Sequence, residues 1–284
     1  MSGNLRRHVS ALAGRIGPRN MIQYKALQEA SGYIEDSLKI LGYQVGSQEY
    51  TVEGRSARNL ITEIHGGALA GEIVVVGAHY DTVFDSPGAD DNASGVAGLL
   101  ELARMLKTQH PARTVRLVAF VNEEPPAFQT ANMGSWVYAK QAHKLGENIV
   151  AAVSIETIGM YSDAEGSQHY PAGFSYFFPS RGNFIGFVGN VASRPLVREM
   201  VRAFRETTSF PSEGVAAPEW IAGIGWSDQW SFWQEGYQGV MVTDTAPFRN
   251  PNYHLQSDTP ETLDYNRMAR VVQGLVKVVG RLGR

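Results

Sequence analysis

Apolar positions change their period several times along the chain, and each change marks an element. From Asn20 to Leu41 they recur every three or four residues (Ile22, Leu27, Ala30, Ile34, Leu38, Leu41) and Gly42 follows, which predicts a helix with a glycine stop. Strand signals come next, at Gln44–Val52 and Asn59–Ile64. Three near-continuous apolar runs then appear at Ile73–Ala78, Val115–Val121 and Ile149–Ile155. Such runs fit strands buried on both faces, as in a parallel or mixed sheet covered by helices. Amphipathic stretches lie between them, Ala93–Thr108 and near Ser135–Leu145, so the order reads as βαβ units. Phe184–Val188 and Gly239–Thr243 are further strands, and Ser193–Thr207 and Asn266–Leu282 further helices. Between them, Tyr161–Asn183 is rich in Gly, Ser, Pro and aromatics without periodicity, and reads as a long structured loop. No repeat, low-complexity tract or linker interrupts the pattern. A single α/β domain over residues 1–284 is expected.

The polar positions are as patterned as the apolar ones. In open α/β sheets ligands bind outside the carboxyl ends of the strands. VVVGAHYD ends in His79 and Asp81, LVAFVNEE in Asn122, Glu123 and Glu124, AVSIETIG carries Glu156, and VMVTDTAP carries Asp244. NPNYHLQSDTP places Tyr253, His254 and Asp258 before the last helix. Each cluster alone has an ordinary reading. A strand-end histidine can bond a loop, ADDNAS is a good N-cap segment, and EEPP is a charged turn. Glu156 is harder to explain so, because a carboxylate on an apolar strand needs a partner.

Composition narrows the chemistry. The chain is 43% hydrophobic and 19% charged with a net charge of −3, which leaves no basic footprint for nucleic acid. No run of 18 apolar residues suggests a membrane span. MSGNLRRHVSALAGRIGPRN makes a poor signal peptide, so a cytoplasmic enzyme is the expectation. There is no cysteine, hence no thiolate nucleophile and no sulfur ligand. His79, Asp91, Glu124, Glu156 and His254 then offer N and O donors suited to Zn²⁺ or a similar ion. Five donors make two sites of three ligands each if one carboxylate bridges, which is the two-metal hydrolytic arrangement. Adjacent strand residues point to opposite sides, so of Glu123 and Glu124 one can ligate while the other serves as general base.

The order H-x-D, GADDNASG, NEE, SIETIG and YH before SDTP resembles the M28 family of zinc aminopeptidases, from about Asn59 to the C-terminus. The resemblance implies a three-layer αβα sandwich around a mixed, largely parallel sheet, two co-catalytic zinc ions and a peptide substrate. It assigns His79 and Glu156 to one zinc, Glu124 and His254 to the other, and Asp91 to the bridge, with a cis peptide after Asp91. It further implies that Glu123 is the general base, that Asp81 orients the His79 imidazole, and that Tyr253 hydrogen-bonds the scissile carbonyl oxygen. One departure is Glu156, where the aminopeptidases of first comparison carry Asp.

Related folds keep other readings open: a single-zinc glutaminyl-cyclase-like acyltransferase, a carboxypeptidase or dipeptidase, and a binding module that has lost ligands. Arg181, Trp220, Trp226, Ser227, Asp228, Phe248 and Arg249 lie in Gly/Pro-rich segments suited to a substrate pocket, with helix capping the default for Ser227–Asp228. Asp85 and Asp90 receive no role.

Overall fold

A computed structural model describes residues 1–284. Its centre is one eight-stranded sheet. The chain enters through helix α1 (Ser2–Val9), which runs into a π-helical stretch at Ser10–Ile16, and then helix α2 (Tyr24–Ile40). Strands β1 (Gly46–Val52), β2 (Arg55–Ile64) and β3 (Leu69–His79) follow, then helix α3 (Gly95–Leu106), β4 (Arg113–Phe120), α4 (Gly134–Lys144) and β5 (Asn148–Glu156). The second half adds β6 (Ile185–Gly189), α5 (Arg194–Arg205), β7 (Ser212–Ala216), α6 (Gln229–Gln234), β8 (Gly239–Thr243), the short α7 (Ala246–Arg249) and α8 (Tyr265–Leu282).

The strand order is β1-β2-β4-β3-β5-β8-β6-β7. The four central strands β4, β3, β5 and β8 are mutually parallel, while β2 and β6 run against them. This is the mixed, largely parallel sheet expected. The central strands are buried on both sides because helices cover both faces. Leu27 and Ile34 of α2, Leu99 and Leu100 of α3, Phe204 of α5 and Val272 of α8 pack into the main core on one face. Tyr138 and Ala139 of α4 and Phe232 of α6 pack on Val75, Val118 and Phe120 on the other. The sandwich is therefore αβα. No helix is long and apolar enough to cross a membrane.

Two elements have weak sequence signals. In α1 only Leu5 and Val9 are buried apolar residues, and between them Arg6 and Arg7 face outward, so the apolar period is too sparse to mark a helix. Strand β7, SEGVA, is too short and small to read as apolar, and its pairing comes from the parallel register with β6. The helix expected from Ala93 also divides. Regular α3 starts at Gly95, and the preceding Ala89–Ser94 turn holds Asp91 and Asn92 in non-helical conformations.

Arg19 ties the N-terminal region to the sheet. It is fully buried and donates through Nε to the Tyr80 carbonyl at 2.7 Å, and through Nη1 and Nη2 to those of Pro87 at 2.6 Å and Gly88 at 3.0 Å. Those carbonyls belong to the loop joining His79 to Asp91, so the guanidinium clamps that loop.

Candidate metal centre

The parallel strands deliver the polar residues to one edge. His79 ends β3, Glu156 ends β5, and Glu123 and Glu124 follow β4, the strand beside β3. All are buried, as is Asp91. His79 Nε2 lies 3.2 Å from Asp91 Oδ1 and 3.2 Å from Glu156 Oε2. On the other side of Asp91, His254 Nε2 lies 3.1 Å from Asp91 Oδ2 and 3.4 Å from Glu124 Oε1. His79, Asp91 and Glu156 thus form one three-donor cluster, and Asp91, Glu124 and His254 a second that shares Asp91. One Asp91 oxygen faces each cluster.

These donors fit a metal rather than one another. His79 Nδ1 and Nε2, Asp91 Oδ1, Glu124 Oε1 and His254 Nε2 are buried without a hydrogen-bond partner, which in a folded protein calls for an ion or water. A tetrahedral shell with ligand bonds of ~2.0–2.2 Å has edges of about 3.4 Å, and the separations above lie close to that. The electrostatics agree. Burial pushes Glu124 up to about 8 with Asp91 adding to the rise, and burial likewise raises Glu123 and Glu156. Burial opposes protonation of His79, yet Glu156 and Glu123 hold its pKa well above the ordinary value. The cluster is short of positive charge, and a divalent cation would supply it.

The DDNASG segment is built to hold Asp91. The Asp91–Asn92 peptide is cis, as the resemblance implied. Asn92 donates to the Ile155 carbonyl at 2.8 Å and accepts from the Thr157 and Gly95 amides at 3.1 and 3.0 Å, pinning the turn to the end of β5 beside Glu156. A Cβ at Gly95 would lie 2.2 Å from Asn92 Oδ1 and 2.4 Å from the Ile155 carbonyl, so a side chain there would drive the turn off the strand. Asp258 accepts from the amides of Asp90 at 2.9 Å and Asp91 at 3.2 Å. Asp90, without a role in the sequence, accepts from the Gly159 amide at 2.9 Å and the Asn250 side chain at 2.8 Å. It braces the loops behind the cluster.

Asp81 serves two elements. Its Oδ1 is 3.6 Å from His79 Nδ1, long for a hydrogen bond but on the side needed to orient the ring. Its two oxygens also accept the amides of Glu123 at 3.0 Å and Glu124 at 3.1 Å. Glu123 does not join either three-donor cluster; its Oε2 stands 3.9 Å from His79 Nε2. Tyr253 stacks on His254 with ring centroids 3.8 Å apart and lines the adjoining pocket. Asn122, Thr157 and His254, which precede, follow or belong to the cluster, all hold positive φ (57°, 47° and 61°). Such backbone is costly for non-glycine residues and persists where surrounding contacts enforce it.

The Ser227–Asp228 reading needs correction. Asp228 occupies the N-cap position of α6, but neither residue's side chain caps that helix. Ser227 Oγ instead donates to Glu156 Oε2 at 2.6 Å and meets Ser154 Oγ at 2.9 Å, so it orients a cluster carboxylate. Of the other pocket candidates, Trp226 and Phe248 line the crevice beside Glu156. Arg181 is paired at the surface with Glu165 at 2.9 Å, and Trp220 is exposed. Arg249 is buried behind the wall, donating to Gln168 at 2.8 Å and the Phe184 carbonyl at 2.9 Å. The long loop supplies Tyr170, Phe174 and Phe178 to the same crevice, a role its irregular pattern did not reveal.

A covered αβα sheet with two N/O donor clusters sharing a carboxylate at its strand ends has the form of a metallohydrolase. The comparisons make the class specific. The model of Peptidase family M28 matches residues 59–279, and the chain belongs to that family. The Escherichia coli protein YfbL is 37% identical over 97% of this chain and 86% of its own length. BSAP, a zinc aminopeptidase from Bacillus subtilis, superposes with a TM-score of 0.78 at 16% identity, covering 99% of this chain and 95% of that one. The Fimbriiglobus ruber glutaminyl cyclase superposes with a TM-score of 0.72 at 20% identity over 99% and 95% of the two chains, so the fold alone does not separate the two chemistries.

Proposed function

We propose that the chain is a two-zinc aminopeptidase that hydrolyses the peptide bond behind a free N-terminal residue. The observation that carries this reading is the pair of three-donor clusters sharing Asp91. A bound metal pair supplies Lewis acidity, polarising the scissile carbonyl and making water acidic enough to lose a proton near neutral pH. His79 and Glu156 would hold one ion, Glu124 and His254 the other, and Asp91 both.

Glu123 takes the proton of the attacking water and returns it to the leaving amine. It is buried beside the clusters without belonging to either, its Oε2 3.9 Å from His79 Nε2, which leaves it free to exchange a proton with water there. Asp81 holds the backbone of Glu123 and faces the His79 ring, coupling base and ligand. Tyr253 lines the crevice, and a tyrosine hydroxyl there can donate to the carbonyl oxygen as negative charge develops.

The crevice lining favours the amino end over the carboxyl end. No cationic residue lines it to receive a terminal carboxylate, and its one charged residue outside the metal clusters, Glu213, is anionic and disfavours one. The shared-ligand arrangement favours peptide hydrolysis over single-zinc acyl transfer, because a one-metal site would leave His79 and its partners without an ion.

The test is Glu123→Gln. Zinc content stays near that of the parent protein while turnover of an aminoacyl-anilide falls by at least about a hundredfold. Unchanged turnover removes Glu123 from the chemistry. Hydrolysis of N-blocked peptides as fast as free ones removes the aminopeptidase reading.

A further inference from the structure

The crevice continues past the metal centre across the sheet. Glu156 pairs with Thr243 on β8, Thr243 with Gly186 on β6, and Gly186 with Glu213 on β7. Directly paired residues project from the same face of a sheet, so Glu156 and Glu213 stand on one face in one row. Three strand spacings separate them, about 14 Å. The positions between are small, Thr243 and Gly186, and leave a trough.

Aromatic rings wall this trough. Tyr170 and Phe178 are stacked with centroids 5.8 Å apart, and Trp226 and Phe248 are stacked with centroids 6.3 Å apart; all four line the crevice with Glu213. Glu213 is half-buried, and its side chain makes no hydrogen bond. Its nearest cation, Arg205, stays 3.7 Å from Oε2 and is itself more than half exposed, with its guanidinium bonded to Ser212 Oγ at 3.1 Å and to the Ser212 carbonyl. A carboxylate at the far end of an aromatic trough, with only one long and partly screened ion pair, is poised for another cation.

We infer that this trough selects substrates whose N-terminal residue is lysine or arginine, with Glu213 as the partner of the side-chain cation. The inference rests on the aminopeptidase reading above and adds its substrate class. A lysine or arginine side chain has three or four methylenes before its charge. With the α-ammonium and scissile carbonyl at the Glu156 end, the stem lies along the rings and directs the charge toward Glu213. The ring faces add cation–π attraction on the way. A leucine fills only the near part of the trough and leaves Glu213 facing solvent.

The experiment measures kcat/KM for lysyl-, arginyl-, leucyl-, phenylalanyl- and glutamyl-p-nitroanilide on the zinc-loaded full chain, on Glu213→Gln and on Glu213→Lys. The parent protein is expected to prefer lysyl and arginyl over leucyl substrates. Glu213→Gln lowers the lysyl-to-leucyl ratio by about tenfold, the worth of one charge-assisted contact at a partly exposed site. Glu213→Lys lowers it further and raises the glutamyl rate. Because each ratio is taken on one preparation, differences in folded or metal-loaded fraction cancel. A parent preference for leucyl or phenylalanyl substrates, or a ratio unmoved by both substitutions, overturns the inference while leaving the aminopeptidase reading intact. Failure of the zinc-loaded chain to hydrolyse any of these anilides overturns both.

Discussion

At the β3–β5 end of the crevice, two imidazoles and four carboxylates crowd round Asp91, and the side chains of its neighbours Asp90, Asn92 and Ser94 all bond the surrounding backbone. At the β6–β7 end, stacked aromatic rings and one loosely paired carboxylate line a trough with few hydrogen bonds. The first region is over-determined: backbone in costly conformations is held by Asn92, Asp258, Asp90 and Asp81 at once. The second is set by shape and a single charge. Chemistry that must place two ions to a fraction of an ångström needs the first kind of construction. Discrimination between side chains needs only the second, and can shift by substitution of one residue.

That contrast breaks most decisively at Asp91. Asp91→Ala removes the one donor common to both clusters, so metal content should drop at both sites and hydrolysis should fall to background. Retention of a full metal complement, read by elemental analysis, would show that Asp91 does not bridge. Next in size is Asn92→Ala, which leaves the Thr157 and Gly95 amides and the Ile155 carbonyl without their partner. The metal-free chain should lose about 2–4 kcal/mol of stability in urea melts; a loss under about 0.5 kcal/mol would mean the turn is held by other contacts.

At the trough end effects should be smaller and confined to substrate. Trp226→Ala removes the ring stacked on Phe248 and should lower kcat/KM for long side chains severalfold, on the scale of one aromatic contact, with zinc content unchanged. Loss of zinc in that variant would join the two regions that the comparison separates.

The subtlest effect is on pH. In the metal-free chain burial pushes Glu124 up to about 8 from 4.5. For His254 burial works the other way, but Asp91 and Glu124 outweigh it and raise the group from 6.5 to about 10. Both groups bind protons more tightly folded than unfolded, so stability declines as pH rises, from 4.5 through about 8 for Glu124 and from 6.5 through about 10 for His254. Zinc needs these ligands deprotonated. The rise in melting temperature on adding zinc should therefore be larger at about pH 8 than at about pH 5.5; equal rises would place zinc elsewhere.

The same division explains what was legible in the sequence. The central strands and their helices could be read because double burial forces continuous apolar runs, and Gly239–Thr243 matches β8 to the residue. The candidate ligands could be read because His, Asp and Glu at apolar strand ends have few other reasons to be there, and the structure brings all five together. The trough could be read only in part. Trp226 and Phe248 stand out as pocket candidates and do line it, but its other walls come from Tyr170–Phe178, β6 and β7, separate stretches in which each residue looks like ordinary core or surface. Ser227 was misread because its partner, Glu156, is 71 residues away. Asp90 and Asp258 were likewise silent, since their work is to hold amides brought near only by the fold.

The central claim is that two ions act at one shared aspartate. Its most direct test is to strip the chain with a chelator, return zinc in steps, and follow leucyl- and lysyl-anilide hydrolysis against zinc bound per chain. The account predicts no hydrolysis without metal and full activity only as the second zinc ion binds. Full activity at one zinc per chain, or activity that survives complete removal of metal, would contradict it.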